Sequence, residues 1–374
     1  MAKLLIIAND ETTIIHFRKE IIKAFVDHGF DVTVCYPLGK NTDEVRALSC
    51  KLIDIEVSRQ GKNILKDAGF YRNCRRLIKQ EQPDIVLTYT VKPNIYASMA
   101  CQSLHVPYIN NITGLGSILQ SQSALSKLIL DLQKKAYKKS SCVFFQNSAN
   151  RDRMKELGVV SANTKTQVLP GSGVNLDMHK YEEFPVDDGI TRFVLVSRVR
   201  VDKGYGEFLD AAEAIKEKYP NTEFHAVGWY EEKMDNRVAN LHDKGTIIFH
   251  GEKTQEEVHE IIKKCQCLIH PSYHEGMANV LLEAAAAGRP VIASNIPGCR
   301  ETFDEGVTGF GCEVKSSESL IEAIEKFLQV PYEERIEMGR RGRDKMEKVF
   351  DRQFVADIYI KEIERVLGEQ ANVH

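Results

Sequence analysis

No stretch of this 374-residue chain stays apolar for anything near the roughly 18 residues that a membrane-spanning helix needs. The run Leu4-Leu5-Ile6-Ile7-Ala8 is short and leads straight into Asn9-Asp10-Glu11, so it reads as a first strand, not a signal peptide. Nine cysteines are scattered without a single Cys-x-x-Cys pair. That excludes a structural zinc framework and favours a reduced, cytoplasmic setting. Cys265 and Cys267, the closest pair, fit alternation in a strand. No Gly-x-Gly-x-x-Gly follows the first strand; Gly114-Leu115-Gly116 and Gly171-Ser172-Gly173 are only fragments of one. A nicotinamide or flavin enzyme thereby loses its main support. There is no Gly-Lys-Ser/Thr phosphate loop, and no Asp-x-Asp pair to hold a metal against a diphosphate. The reading therefore calls for no metal and no cofactor, and side chains must neutralise any phosphate.

What is present is ordinary globular composition, 43% hydrophobic and 28% charged. The length predicts about two domains. The net charge of -3 hides an asymmetry. Residues 1–170 hold 24 Lys and Arg against 15 Asp and Glu, and the remainder 26 against 38. A first half at +9 beside a second at -12 predicts different partners for the two. A basic half suits an anionic membrane surface or an anionic acceptor. Nucleic acid is not among the expected partners.

Strands and helices alternate along the first half. Lys3–Ala8, Asp31–Cys35, Asp84–Thr88, Tyr108–Thr113, Cys142–Gln146 and Thr166–Leu169 read as strands, with a helix at Phe17–His28. The pattern restarts after Gly189 with Thr191–Ser197, Glu223–Val227, Thr246–His250, Cys267–His270 and Pro290–Ala293. Strands spaced by helices argue for parallel βαβ units. The expected fold is α/β, two tandem doubly wound Rossmann-like domains with ligands outside the strand carboxyl ends, in an interdomain cleft. The predicted boundaries are 1–170, a linker at 171–189, 190–350, and a terminal helix in 351–374 that crosses back to the first domain.

Two stretches carry chemistry. In His274-Glu275-Gly276-Met277-Ala278-Asn279-Val280-Leu281-Leu282-Glu283, one carboxylate lies in a loop and the other within the following helix. Helical side chains tilt toward the N-terminus, so Glu283 reaches back to the cavity that Glu275 borders. A helix N-terminus attracts a diphosphate. Carboxylates beside it serve to accept hydrogen bonds from hydroxyls of the same ligand. A diphosphate flanked by hydroxyls is a nucleotide sugar. In Ser197-Arg198-Val199-Arg200-Val201-Asp202-Lys203-Gly204, Arg198 ends a strand and Lys203-Gly204 opens a helix. An arginine fork and a lysine point charge suit phosphate oxygens. Taken singly, each stretch also fits a solvated loop; together, in one domain, they favour the ligand site.

The Glu–seven residues–Glu pattern, with Pro271-Ser272 before it and Gly288-Arg289-Pro290-Val291 after it, resembles the retaining family 4 glycosyltransferases of GT-B fold. Ser197-Arg198…Lys203-Gly204 matches their diphosphate motif, and Gly309-Phe310 after Glu301 matches a further segment. Thr90-Val91-Lys92-Pro93-Asn94-Ile95-Tyr96 and Asn111-Ile112-Thr113-Gly114-Leu115-Gly116 are similar to bacterial members that build O-antigen, capsule or N-glycan precursors on undecaprenyl diphosphate. The resemblance implies that Arg198 and Lys203 contact the donor diphosphate, Glu275 the donor sugar and Glu283 the ribose. It implies that backbone N–H groups of Gly276, Met277, Ala278, Asn279 and Val280 hold donor oxygens. It implies further that Gly228, Gly251 and Lys253 border the base and that the donor is a UDP-sugar. For a lipid-linked saccharide acceptor the candidates are His16, Arg18, Arg59, Lys92, Thr113 and Gly114. Many members carry a His near the position of Thr113; this chain has Asn110-Asn111-Ile112-Thr113 there.

The helix Ala124–Ser140 is expected to place Leu125, Leu128, Ile129, Leu132 and Ala136 on one face against the sheet, with five lysines elsewhere. The other reading lays it on a membrane as a basic amphipathic helix. The protein is thus expected to sit peripherally on the inner face of the cell membrane. Two rivals differ in class: a GT-B UDP-sugar epimerase, which needs no acceptor, and a non-catalytic nucleotide-sugar-binding protein.

Overall fold

The computed structural model describes residues 1–57, 64–115, 123–231 and 236–371. The chain forms two units, Met1–Ser172 with Arg352–His374, and Gly173–Asp351. Unit 1 carries β1 (Lys3–Ile7), β2 (Asp31–Tyr36), β3 (Lys51–Asp54), β4 (Ile85–Tyr89), β5 (Tyr108–Ile112), β6 (Cys142–Phe145) and β7 (Thr166–Val168). They form one sheet in the order β3-β2-β1-β4-β5-β6-β7. Unit 2 carries β8 (Thr191–Val196), β9 (Thr222–Val227), β10 (Ile248–Phe249), β11 (Cys267–His270), β12 (Val291–Ser294) and β13 (Gly309–Cys312), in the order β10-β9-β8-β11-β12-β13. Every named pairing is parallel. Continuous apolar runs such as Leu4-Leu5-Ile6-Ile7 are buried on both faces, as parallel sheets require.

Strand order reverses between β1 and β4 in unit 1 and between β8 and β11 in unit 2. Loops leave such neighbouring strands in opposite directions and open a crevice at their carboxyl ends. The two motifs read from sequence follow β8 and β11, the strands that flank this point in unit 2.

Several elements differ from the sequence expectation. The first helix starts at Glu11, well before Phe17, because Asp10 caps it: Thr13 N donates to Asp10 Oδ1 at 2.8 Å. Strands β3 and β13 were not expected; β3 is short with exposed ends, and β13 is half glycine. The helix Ala124–Tyr137 is rotated from the expected face, which it buries only in part. It buries Ser126, Gln133, Ala136 and Tyr137, while Leu125 and Leu128 are 37% and 48% exposed. Tyr137 fills a cluster with Val143, Phe145 and Met154, and burial of its large ring outweighs that of two leucines at the other face.

The final helix, Arg352–Ala371, is part of unit 1. Its Val355, Tyr359 and Ile363 share a core with Ile14, Ile21, Phe25 and Tyr89. From Gly173 onward, the stretch expected as a linker belongs to unit 2. There Arg289, 1% exposed, donates to the carbonyls of Glu182 (3.0 Å), Glu183 (2.8 Å) and Lys263 (2.9 Å) and buckles that segment down.

Candidate functional site

In unit 2, β8 continues through Ser197 and Arg198 into a single 3-10 turn, Val201–Lys203, and the helix Tyr205–Lys218. Gly204 joins them at φ 73, and a Cβ there would lie 2.2 Å from the Pro271 carbonyl oxygen. Only glycine allows the loop after β8 to meet the loop after β11 so closely. The contact is stitched by Tyr273 N, which donates to Asp202 O at 2.9 Å. Gly228, after β9, is equally constrained: a Cβ would stand 1.8 Å from Ser197 O. Its N–H donates to Gly251 O at 2.9 Å, so the two loops expected at the base lie together.

This backbone brings the predicted charges into contact. Lys203 Nζ lies 2.6 Å from Glu275 Oε1, with side chains 15% and 14% exposed. His270 Nε2, at the end of β11, is 3.0 Å from the same oxygen. Burial pushes the Glu275 carboxyl up, but the Lys203 ammonium and the His270 ring outweigh it and hold the group well below the usual range. Arg198 Nη1 lies 2.7 Å from Glu231 Oε2, and Arg200 bridges Glu231 and Asp202. Both cations named for the diphosphate thus have acidic partners.

The helix Asn279–Ala286 follows the Glu275 loop. Its N-cap, Ala278, offers no side-chain cap, and no acidic residue stands in the first turn. The positive end of this helix therefore carries no compensating acidic side chain. Ala278 N donates to Gly298 O at 2.8 Å, so the turn after β12 fixes the Gly276–Ala278 segment from behind. Asn279 Oδ1 is buried without a partner. Glu283 is half-buried and its carboxylate accepts no hydrogen bond from any described residue. Lys253 Nζ is 3.2 Å from Glu257 Oε1 at the start of the next helix.

Unit 1 places its candidates differently. Arg59 lies outside the described residues. His16 and Arg18 do not open the first helix; both are inside it. Arg18 is 3% exposed, donates to Phe17 O and to Ser172 Oγ at 2.6 Å, and packs 4.7 Å from the centre of the Tyr89 ring. Lys92, in the first turn of the helix Val91–Leu104, pairs with Asp67 at 2.7 Å. Thr113 and Gly114 follow β5, half-buried.

Sequence reasoning missed what Asn94, Asn110 and Asn111 do. Thr88 Oγ1 donates to Asn94 Oδ1 at 2.7 Å; Asn110 Nδ2 donates to Thr88 Oγ1 at 2.8 Å and Ser98 Oγ at 2.6 Å. Asn94 Nδ2 donates to Asn111 O at 2.8 Å, and Tyr359 donates to Asn111 Oδ1 at 2.6 Å. This buried network ties β4, β5, the helix Val91–Leu104 and the final helix at the sheet's carboxyl end. Polar residues in strands otherwise fully buried were the available signal. His270 and Gly298 in unit 2 were missed as well.

Comparison with known proteins bears on the family and the fold. The family described as Glycosyl transferase 4-like matches residues 3–147, and Glycosyl transferases group 1 matches residues 180–345. The chain belongs to the family 4-like glycosyltransferases of GT-B fold. Among its relatives is the N,N'-diacetylbacillosaminyl-diphospho-undecaprenol alpha-1,3-N-acetylgalactosaminyltransferase of Campylobacter jejuni, 26% identical over 95% of this chain and 96% of the relative. A second is the UDP-Gal:alpha-D-GlcNAc-diphosphoundecaprenol alpha-1,3-galactosyltransferase of Escherichia coli, 26% identical over 79% of each. In fold the chain is similar to a sucrose-phosphate synthase from Thermosynechococcus elongatus, with a TM-score of 0.78 at 18% identity over 99% of this chain and 100% of that one.

Proposed function

We propose that this glycosyltransferase moves a hexose or N-acetylhexosamine, with retention, from a UDP-sugar to a saccharide linked to undecaprenyl diphosphate. The observation that carries the donor half is the meeting of Lys203 and Glu275 at the reversal point of the second sheet, beside an uncapped helix N-terminus. The acceptor class is drawn from the two relatives, both named for substrates on diphospho-undecaprenol or diphosphoundecaprenol.

In this reading the donor diphosphate takes up Arg198 and Lys203. Glu283 accepts from the ribose hydroxyls, and Glu275 from a sugar hydroxyl. The acceptor hydroxyl oxygen forms a bond to the anomeric carbon on the face the diphosphate leaves. The bond from that carbon to the diphosphate oxygen breaks, and the acceptor proton passes to the departing phosphate oxygen. Arg198, Lys203 and the helix dipole stabilise the charge that develops there. The positive charge comes from side chains, so the reaction is proposed to run without a metal.

Among the described residues no helix is long and apolar enough to cross a membrane. We place the protein peripherally, on the inner face of the cell membrane, through the basic surface of unit 1. It should co-sediment with vesicles containing anionic lipid at low salt and detach as salt rises; absence of binding at low salt counts against this placement.

The central test is Lys203→Ala, assayed by UDP release from a panel of UDP-hexoses and UDP-N-acetylhexosamines with a polyprenyl-diphosphate-linked sugar as acceptor. Turnover should fall by about 10²–10³-fold, the scale of losing one group that stabilises developing charge. Near-normal turnover in a folded variant sinks the assignment. A new UDP-sugar formed without acceptor would point to the epimerase instead.

A further inference from the structure

We infer that His270 is a positioning residue: it fixes Glu275 by one oxygen so that the other faces the donor sugar. The inference rests on the glycosyl-transfer reading above and adds a residue that neither the motifs nor the family pattern named.

His270 is the last residue of β11 and is 3% exposed. Its Nε2 lies 3.0 Å from Glu275 Oε1. Its Nδ1 is buried and has no partner. A carboxylate oxygen only accepts, so Nε2 carries a proton and donates it. The imidazole is therefore a one-sided donor, rigid on two torsions and held at a strand end. Lys203 meets the same Oε1 at 2.6 Å. Glu275 Oε2 receives no hydrogen bond from a described residue, yet it is not among the side-chain atoms sealed from solvent. One oxygen is thus held twice and the other is open.

The two donors differ in what happens when a donor substrate arrives. Lys203 is a point charge on a flexible stem, and a diphosphate competes for it. His270 is out of reach of solvent at a strand end, so a phosphate has little hold on it. It remains on Oε1 while Lys203 is drawn toward the leaving group. The Glu275 carboxylate then keeps its orientation through the reaction, with Oε2 directed at a sugar hydroxyl. Misplacement of such a contact by about 1 Å costs on the order of a hundredfold in rate.

The test compares His270→Gln with His270→Asn, using His270→Ala as the full loss. The longer amide places an N–H near the position of Nε2; the shorter one places it near Nδ1, where nothing accepts. Three quantities are measured on the whole protein: thermal midpoint, binding of UDP alone, and UDP release from the sugar-nucleotide panel with the polyprenyl-diphosphate-linked acceptor. Asparagine and alanine should lower kcat by about ten- to a hundredfold, with UDP affinity within about threefold of wild type because UDP carries no sugar. Glutamine should recover most of the rate. Equal rates in the glutamine and asparagine variants, or losses that follow the thermal midpoint alone, overturn the inference. A silent Lys203→Ala alongside that result leaves the transfer reading standing; an active Lys203→Ala removes that reading itself.

Discussion

Replacing Lys203 by Met separates what the ion pair does for the fold from what the lysine does for catalysis. At an effective dielectric near 20, unit charges at the observed 2.6 Å attract by on the order of 6 kcal/mol. Desolvation offsets much of this, and loss of one partner of a buried pair costs about 3–5 kcal/mol. His270 still donates to Glu275, and both side chains keep some solvent, so the lower end applies: about 3 kcal/mol. In a unit of this size that lowers the unfolding midpoint by roughly 6–12 °C. The reporter is built in. Trp229 is the single tryptophan of the chain and lies in unit 2, so its fluorescence during urea unfolding reads that unit alone. Adding Glu275→Gln to Lys203→Met removes the stranded carboxylate. The double variant should regain all but about 1 kcal/mol of wild-type stability, while turnover stays as low as in the single variant. A double variant no more stable than Lys203→Met, or a single variant that unfolds like wild type, refutes the argument.

The depressed Glu275 carboxyl predicts an acid limb. Its contribution is fully present above the unfolded value of about 4.3 and fades as pH falls through the depressed folded value. Trp229 should therefore report falling stability from about pH 5 toward pH 2, and Glu275→Gln should flatten part of that slope; an unchanged slope rejects the coupling. In unit 1, Tyr359→Phe leaves Asn111 Oδ1 without its donor and should cost about 1–3 kcal/mol. Hydrogen exchange of the helix Arg352–Ala371 should quicken while the Trp229 transition stays put; equal exchange in both proteins counts against the network.

The α/β reading held because its signals are local. Apolar runs such as Phe193-Val194-Leu195 cannot be anything but buried strands once helices separate them. The meeting of Lys203 and Glu275 was legible for a similar reason: each sits just past a strand, and the two strands are neighbours in the sheet. What failed was set by tertiary choice. Nothing near Leu125 and Leu128 announces that Tyr137 will decide which face of their helix is buried. Arg18 looked like a ligand cation at a helix start, but Asp10 moved that start and Tyr89 and Ser172 took the guanidinium. Asn94 and Asn111 belonged to a recognisable segment, yet their partners Thr88 and Tyr359 lie elsewhere in the sequence, Tyr359 near its far end.

That last contact bears on how the protein is made. Unit 2 is continuous and can close as soon as residue 351 is free, but the sheet begun at Lys3 waits for Val355, Tyr359 and Ile363 to cover Ile14, Ile21 and Phe25. At 5–20 residues per second, synthesis of the intervening chain takes roughly 10–40 s. For that interval the nascent N-terminal half carries an open apolar strip that a holding chaperone, or a neighbouring nascent chain, can occupy. A tag, truncation or frameshift near residue 355 would therefore injure the first-made unit, not the one beside it in sequence.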